Sequence, residues 1–354
     1  MVENITINTI AKKANVSRGT VDRVLNGRPD VSDKTRKRVL EVIKELEYSP
    51  NVVAKALKSK NKKIQIGIIV SPKENLFGRD ILKGILYAKD ECAIYGVTIN
   101  IYEMKGFEID AQLAQIQNAI EDQVNGIALA PMEDTSIRNI LKSIEDTIPI
   151  AFYNTDIEGV NRICYIGQDG NACGRVGGQL LGMLSGGKGD TAVLLGYKMI
   201  RAHLQREDGF SEYLKKDLPE MRLLGTFETR EVDRIVYEIC EDLFQNNDIK
   251  NIFMSGGGID GLGQFLVDHK LSGKVNVVCT DYISRTAELL KNDVIHFAIG
   301  QQPFEQGYYS IKVLSDYLLS GTRPGNSELY TNLDIRIKEN IDCCFSEGLL
   351  ASKL

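Results

Sequence analysis

Apolar side chains at helical spacing predict two short helices near the beginning of the chain. The first follows Thr6, a residue suited to an N-cap, and its apolar positions are Ile7, Ile10, Ala11 and Ala14. Asn15-Val16-Ser17 interrupts this spacing, and Ser17 is suited to cap a second helix. The buried positions of that helix are Val21, Val24 and Leu25. Its outward face is polar and consists of Arg18, Gly19, Asp22, Arg23 and Asn26.

A third helix is predicted from Ser32 to the segment Tyr48-Ser49-Pro50, where proline stops it. Its buried positions are Val39, Leu40, Val42, Ile43 and Leu46. Two short helices joined by a tight turn and supported by a third make a helix-turn-helix, whose second helix enters the major groove of DNA. Arg18 is therefore the main candidate for reading a guanine through O6 and N7. We expect Arg23 to do the same or to bind a phosphate.

From Ile64 onward, apolar strand-like runs alternate with helical stretches. This alternation predicts βαβ units and parallel sheets covered by helices, which is the α/β fold class. The predicted strands are 64–70, 97–102, 126–130, 148–153, 164–166, 191–195, 222–225, 251–254, 275–279 and 295–299. Open α/β sheets bind ligands beyond the carboxyl ends of their strands, so polar residues there form the candidate site.

Length and composition agree with two or three soluble domains. The chain has 354 residues, of which 43% are hydrophobic, and this is ample for sizeable cores. The first residues lack the apolar core and cleavage site of a signal peptide, and no apolar stretch approaches a membrane span in length. The 7 cysteines are scattered and odd in number, which favours reduced thiols. We therefore expect an unexported protein of the cytoplasm.

The positive charge is concentrated at one end of the chain. Residues 1–63 contain 15 Lys and Arg against 7 Asp and Glu, so they carry +8 and the remainder carries -13 of the total of -5. A basic segment attached to an acidic body is what attraction to phosphate at one end would require. A merely solvated basic terminus is the alternative interpretation of this asymmetry.

The N-terminal sequence resembles the headpiece of the lactose-repressor (LacI) family. The resemblance is carried by TINTIAKKANVSRGTVDRVLNG, followed by VSDKTRKRV and YSPNVVAKAL. It implies that Asn51–Ser59 folds into a hinge helix on DNA, and that Leu57 enters the minor groove as an apolar wedge. Asp22 and Lys55 depart from the commoner serine and arginine, which affects the operator that is read. The residues expected at DNA are Thr6, Ser17, Arg18, Gly19, Thr20, Asp22, Arg23, Asn26, Thr35, Asn51, Ala54, Lys55 and Leu57.

Residues 64–341 resemble the type I periplasmic-binding-protein fold found in ribose-binding proteins and in the effector domains of the same repressor family. The resemblance is carried by REDGF, VVCTD and IGQQP. It implies a cleft between two lobes, where an aromatic ring stacks on a sugar while arginine and carboxylate bind its hydroxyls. For each polar residue, a helix cap or an ion pair is the structural alternative. The expected effector-binding residues are Asn75, Phe77, Asn154, Thr155, Arg206, Gly256, Asp281 and Gln301.

Two departures bear on the choice of ligand. Asn154-Thr155 replaces an Asp-Arg pair of the sugar-binding relatives, and Gly256-Gly257 replaces their Asn-Asp. A free pentose or hexose is the default ligand. A substituted or anionic sugar is the alternative, because bare amides at a helix N-terminus attract negative charge. His203, three residues before Arg206, is a further candidate for the cleft.

A glycine motif supports a rival hypothesis. Gly256-x-Gly258-x-x-Gly261 follows a predicted strand, and Asp281 lies 20 residues beyond Gly261. This spacing matches a dinucleotide-binding fingerprint and would suit an NAD-dependent enzyme. The sequence contains no G-x-S-x-G, H-E-x-x-H or Walker motif, so we expect no catalytic residue, metal or cofactor. The missing signal peptide and the headpiece both argue against an exported transport protein.

The family resemblance implies a helix-turn-helix headpiece at 1–50, a hinge helix or linker at 51–62, and an effector-binding and dimerisation domain at 63–354. Its N-lobe comprises about 63–166 and 302–328, and its C-lobe about 167–301 and 329–345. A homodimer would place two headpieces on a near-palindromic operator, as a repressor at the nucleoid. Ligand would favour or disfavour folding of the hinge, so induction and co-repression both remain open. The C-terminal end is too short for a leucine-heptad helix, which favours a dimer.

Overall fold

The computed structural model of the protein describes residues 7–25, 31–46, 63–72 and 75–341. The hinge expected at 51–62 lies outside these ranges. So do six of the residues expected at DNA, namely Thr6, Asn26, Asn51, Ala54, Lys55 and Leu57.

The N-terminal part contains the three predicted helices, α1 (Ile7–Lys13), α2 (Arg18–Leu25) and α3 (Asp33–Glu45). The Oγ of Ser17 caps α2, since it accepts a hydrogen bond from the backbone N of Thr20 at 3.1 Å. The prediction that Leu40 is buried is wrong, because this side chain is 49% exposed. Leu40 follows Val39 by one residue and so points about 100° away from the buried stripe. The helices share a core of Ile10, Ala11, Ala14, Val21, Val24, Val39 and Val42.

The rest of the described chain alternates strands with helices. The first elements are β1 (Ile64–Val70), α4 (Leu76–Ala93), β2 (Val97–Glu103), α5 (Ile109–Glu121), β3 (Gly126–Leu129), α6 (Thr135–Ile144), β4 (Ile150–Tyr153) and β5 (Cys164–Gly167). There follow α7 (Gly170–Ser185), β6 (Gly189–Leu195), α8 (Arg201–Asp217), β7 (Met221–Glu228), α9 (Asp233–Asn246), β8 (Ile249–Ser255), α10 (Ile259–Asp268), β9 (Asn276–Thr280), α11 (Ser284–Lys291) and β10 (Phe297–Gly300). The last are α12 (Pro303–Ser320), β11 (Glu328–Tyr330), β12 (Asp334–Arg336) and a 3₁₀ helix (Lys338–Asn340).

The strands form two six-stranded sheets, each the centre of one lobe. The N-lobe sheet has the order β11-β5-β4-β3-β1-β2, and the C-lobe sheet has the order β12-β10-β9-β8-β6-β7. Only the β10–β12 pair is antiparallel among the described pairs. Strands β3, β4 and β5 are buried at every position, because helices cover both faces of the sheet. The predicted parallel α/β architecture is therefore confirmed.

The chain passes between the lobes three times. The crossovers lie between β5 and α7, between β10 and α12, and between β11 and β12. The last crossing comes after Tyr330 rather than at the expected boundary near residue 328. Strand β11 pairs with β5, and the ring of Tyr330 packs edge-on against Tyr165 at 6.3 Å between centroids. These contacts hold β11 in the N-lobe.

Several absences hold within the described ranges. No helix there is long and apolar enough to cross a membrane. No group of three or more His, Cys, Asp or Glu side chains is placed to hold a metal ion. The five cysteines described are all buried and free. Burial raises the pKa of the Cys240 thiol to about 12, so this thiol stays protonated and unreactive near neutral pH.

Candidate functional site

The first candidate surface is the polar face of α2. Arg18, Gly19 and Arg23 are exposed there, while Thr20 and Asp22 are half-buried. The hydroxyls of Ser17 and Thr20 lie 2.9 Å apart and bond to each other, so both serve to order the start of α2. Thr35 has a similar place at the start of α3, where its Oγ1 accepts a hydrogen bond from Ser32 Oγ at 2.9 Å. Some of the residues expected at DNA are thus exposed on α2, and others form hydrogen bonds at the first turns of α2 and α3.

The second candidate is a cavity of about 270 Å³ between the carboxyl edges of the two sheets. All eight residues expected to bind an effector line it, and so does His203. The N-lobe contributes mainly apolar side chains, among them Ile69, Met104 and Phe107. Besides the phenol of Tyr153, the cavity has six ionisable lining groups, which belong to His203, Arg206, Glu231, Asp233, Asp260 and Asp281. Those six groups all come from the C-lobe.

Arg206 is the most constrained polar group of the cavity. Its side chain is 1% exposed, and its backbone lies where α7 and α8 touch. A Cβ on Gly174 of α7 would stand 2.0 Å from the carbonyl oxygen of Arg206, so only glycine permits this approach. The Nε of Arg206 donates to Gln168 Oε1 at 2.8 Å, and Nη2 donates to Gln301 Oε1 at 3.0 Å. No described residue accepts a hydrogen bond from its buried Nη1. A cavity ligand with an acceptor oxygen would satisfy that donor.

Asp281 and Gln301 extend this network. Asp281 directly follows β9 and adopts the left-handed region with φ of 73°. The Nε2 of Gln301 donates to Asp281 Oδ1, while Gln306 Nε2 donates to the carbonyl of Gln301 at 2.7 Å. Burial raises the pKa of the Asp281 carboxyl above its usual value, and the positive charge of Arg206 opposes that rise. Gln301 therefore bonds to both the guanidinium of Arg206 and the carboxylate of Asp281.

The remaining expected ligands have partial structural roles. Asn75 caps α4, because its Oδ1 accepts from the backbone N of Gly78 at 2.8 Å. Thr155 joins the lobes, because its Oγ1 accepts from the backbone N of Ala202 at 3.2 Å. Asn154 has φ of 63°, a conformation that asparagine tolerates better than most residues. Phe77 is half-buried against the N-lobe core. Each still lines the cavity.

Glu231 is a lining residue that the sequence pattern did not indicate. Its Oε1 accepts a hydrogen bond from the backbone N of Gly257 at 3.2 Å and lies 3.8 Å from His203 Nε2. Burial raises its pKa to about 7, with the charge of Asp281 adding to the rise. Burial and the nearby Arg206 lower the pKa of His203 to about 3. The His203–Glu231 contact is therefore not an ion pair at neutral pH, since this imidazole is neutral.

The glycine motif has the predicted strand, turn and helix around it, and two amides of this segment bind carboxylates of the same chain. Gly257 N binds Glu231, and Gly261 N donates to Asp233 Oδ1 at 3.0 Å. A Cβ on Gly261 would stand 2.0 Å from the carbonyl oxygen of Asp233, so this glycine serves contact between α10 and the start of α9. These two amides are therefore not free to bind an anion. A pyrophosphate that approached these two amides would meet the carboxylates of Glu231 and Asp233.

Two family models match the chain, one over the basic N-terminal segment and the other over the acidic remainder. The model of the periplasmic binding protein domain matches residues 66–322. The model of bacterial regulatory proteins of the lacI family matches residues 6–51.

Individual relatives agree with these matches. Catabolite control protein A of Priestia megaterium is 40% identical over 124 residues, which make up 35% of this chain and 36% of that protein. The probable HTH-type transcriptional repressor ExuR of Bacillus subtilis is 29% identical over 212 residues, or 58% of this chain and 59% of that protein. The chain thus spans 36% and 59% of the lengths of these curated relatives.

A solved structure shows the same two-lobed fold. GanP, a glucose-galactose binding protein from Geobacillus stearothermophilus, superposes with a TM-score of 0.74 at 19% sequence identity. The superposition covers 79% of this chain and 99% of GanP. At this identity the likeness concerns the fold, and it confirms the predicted arrangement of two lobes with parallel sheets.

Proposed function

The chain belongs to the periplasmic binding protein domain family and carries a lacI-family segment ahead of that domain, and from this premise we propose that it is a sequence-specific transcriptional repressor. A small sugar-like effector in the cavity controls its affinity for operator DNA. The observation that carries the proposal is Arg206, a buried guanidinium with one unsatisfied donor in the cavity of a chain that begins with a basic helix-turn-helix.

The proposed organisation is a headpiece at 1–50, a hinge at 51–62 and an effector domain at 63–354. Two copies form a homodimer on a near-palindromic operator, in the cytoplasm and apart from any membrane. Arg18 reads a base edge, because it is exposed at the first residue of α2, where helix-turn-helix proteins contact DNA. Arg23, exposed on the same helix, does the same or binds a phosphate.

We propose that Arg206 transmits the presence of effector to the lobe crossovers. Gln168 lies between β5 and α7, and Gln301 lies between β10 and α12, so one guanidinium bridges two of the three crossovers. A ligand that accepts from Nη1 changes the charge distribution and position of the same guanidinium. Thr155 adds a direct contact between the lobes at the cavity wall. The effector thereby biases the angle between lobes, and through it the hinge.

A dinucleotide-dependent reaction is not part of the proposal. The glycine motif binds Glu231 and Asp233 of its own chain, and these carboxylates would repel a pyrophosphate. The regulators among the relatives point the same way. We therefore propose that the protein binds its effector without transforming it.

The proposal is tested by selecting operator sequences from random duplexes with the full-length protein. Fluorescence anisotropy then measures the affinity of wild type, Arg18→Ala and Lys215→Ala for the selected and for unrelated DNA. We expect Arg18→Ala to lose about 1–3 kcal/mol on the operator and to relax selectivity at one base position per half-site. Lys215→Ala removes one exposed cation from the effector domain and should bind as wild type does. Failure to select any sequence would refute the proposed function.

A further inference from the structure

The cavity carries more negative than positive charge. Its lining includes the carboxylates of Glu231, Asp233, Asp260 and Asp281, and Arg206 is the only guanidinium or ammonium among the described lining residues. Asp260 forms an ion pair with Arg285 at the rim, and Asp233 caps α10 through Gly261 N. Glu231 and Asp281 then face a single cation, Arg206. When both carboxyls of this pair are ionised, Arg206 balances only one of the two charges, and in the free protein Glu231 is partly protonated near pH 7.

Three glycines lie beside the carboxylate of Glu231. A Cβ on Gly196 would stand 3.0 Å from Glu231 Oε1, and a Cβ on Gly257 would stand 3.2 Å from Oε2. Gly256, with φ of 144°, has no room for a side chain beside Gly196. A Cβ on Gly196 would stand even closer to His203 Cε1, at 2.6 Å, and the His203 ring lies beside the carboxylate with Nε2 3.8 Å from Glu231 Oε1. The space beside Gly257 is thus occupied by Glu231, whereas the space beside Gly256 is occupied by the backbone of Gly196.

The backbone that presents Glu231 is held in a costly conformation. Arg230 and Glu231 both have positive φ, at 53° and 57°, which is uncommon for residues other than glycine, asparagine and aspartate. The turn is fixed by bonds from Thr229 N to the carbonyl of Leu195 at 2.7 Å and from Arg230 N to the carbonyl of Gly196 at 2.9 Å. This turn places the Glu231 side chain in the lining of the cavity.

The neighbouring unsatisfied groups define what the ligand must offer. Arg206 Nη1 is a buried donor without a partner in the described chain, and Thr280 Oγ1 is a buried hydroxyl in the same condition. Both residues line the cavity, and both are at most 3% exposed. A ligand that fits carries hydroxyls for these groups. At Glu231 a ligand that binds the ionised form presents donors, because a carboxylate only accepts hydrogen bonds.

We propose that the effector is a polyhydroxylated amine, such as an amino sugar, whose ammonium group binds Glu231. This inference rests on the proposed function and specifies the chemical class of its effector. An ammonium supplies the missing positive charge in a partly desolvated site and donates to both carboxylate oxygens. A uronate or sugar phosphate would add a third negative charge beside Glu231 and Asp281. A neutral sugar brings no positive charge, so it would leave Glu231 partly protonated, as it is in the free protein.

Matched compounds on common scaffolds test the proposal with the full-length protein. Calorimetric titration and thermal shift compare glucose, glucosamine and glucuronate, the corresponding galactose and mannose sets, and open-chain aminopolyols. We expect at least one amine to bind wild type about tenfold more tightly than its neutral and anionic partners. We expect Glu231→Gln to remove that preference, and Glu241→Gln, a matched change at an exposed glutamate of α9, to retain it.

Three results would overturn the inference. They are tighter binding of a neutral or anionic partner, equal amine affinity in Glu231→Gln, and no binding of any amine in the panel. A further test uses wild type alone and measures the number of protons released when the amine binds. This number is obtained from calorimetric titrations at pH 7 in buffers of different ionisation enthalpy. Amine binding to Glu231 should release protons, because this carboxyl is partly protonated near that pH. Operator binding is measured in parallel, so a wrong ligand class and a wrong function give different results.

Discussion

At the scale of single residues, Glu231 gives the protein a specific dependence of stability on pH. Burial raises its pKa from 4.5 to about 7 in the folded chain, whereas the unfolded chain has the ordinary value. A carboxyl with a raised folded pKa binds its proton more tightly when folded, so its ionisation costs folding free energy. That cost is absent below about pH 4.5, grows as the pH rises, and is complete above about pH 7.

We therefore expect wild type to lose stability relative to Glu231→Gln between about pH 4.5 and pH 7. The loss is at most about 3 kcal/mol, because a quarter of the side chain is exposed and solvent screens part of the effect. Urea denaturation of both proteins at several pH values measures it. Asp281 and His203 are present in both proteins, so the difference between the two curves reports Glu231 together with its coupling to Asp281. A difference that stays constant with pH would show that Glu231 has an ordinary pKa.

At the scale of elements, the crossing of α7 and α8 places Arg206 and depends on Gly174. The Cβ of an alanine at this position would meet the carbonyl of Arg206 at 2.0 Å, which is backbone and cannot rotate away. Gly174→Ala should force the helices apart and cost about 1–3 kcal/mol of stability by denaturant midpoint. Gly182→Ala is the matched change in the same helix, where the Cβ meets only the end of the Leu218 side chain. Similar midpoints for the two variants would contradict the proposed rigidity of this contact.

Most elements followed from the sequence because buried parallel strands appear as continuous apolar runs. All ten predicted strands are present, and the candidate residues met at one cavity because the carboxyl ends of parallel strands share an edge. Strands β11 and β12 were not predicted. Each has three residues, lies at a sheet edge, and lacks an alternating apolar pattern.

The absence of Glu231 from the predicted site has a local cause. The sequence predicted that the seventh strand ends at Gly225, whereas β7 continues to Glu228. Its pairing with β6 shifts register there, so that Leu223 and Gly225 face the consecutive residues Thr191 and Ala192. Gly225 therefore marks a bulge inside the strand and not its end. With the strand cut short, the turn that carries Glu231 was not recognised as a strand terminus.

At the scale of the whole molecule, the guanidinium of Arg206 should couple effector to operator. Arg206→Lys keeps the positive charge but cannot bond to Gln168, Gln301 and a ligand in the same planar geometry. We expect operator affinity without effector to remain near that of wild type, and the change caused by effector to disappear. Anisotropy titrations with and without an amine effector measure both quantities. Arg175→Lys, at an exposed arginine of α7, is the control and should respond as wild type does.

Coupling between two sites of one molecule is reciprocal, and this gives the strictest requirement on the whole assembly. If effector changes operator affinity by some factor, bound operator must change effector affinity by the same factor. Factors of about 5 to 150 are typical of such coupling. Calorimetric titration of effector into free protein and into the protein–operator complex measures the second factor, and anisotropy measures the first. Equal factors are expected for wild type, and both should fall to about one in Arg206→Lys. A single effector affinity with and without operator, in a protein whose operator binding still responds, would mean that the ligand acts at another site.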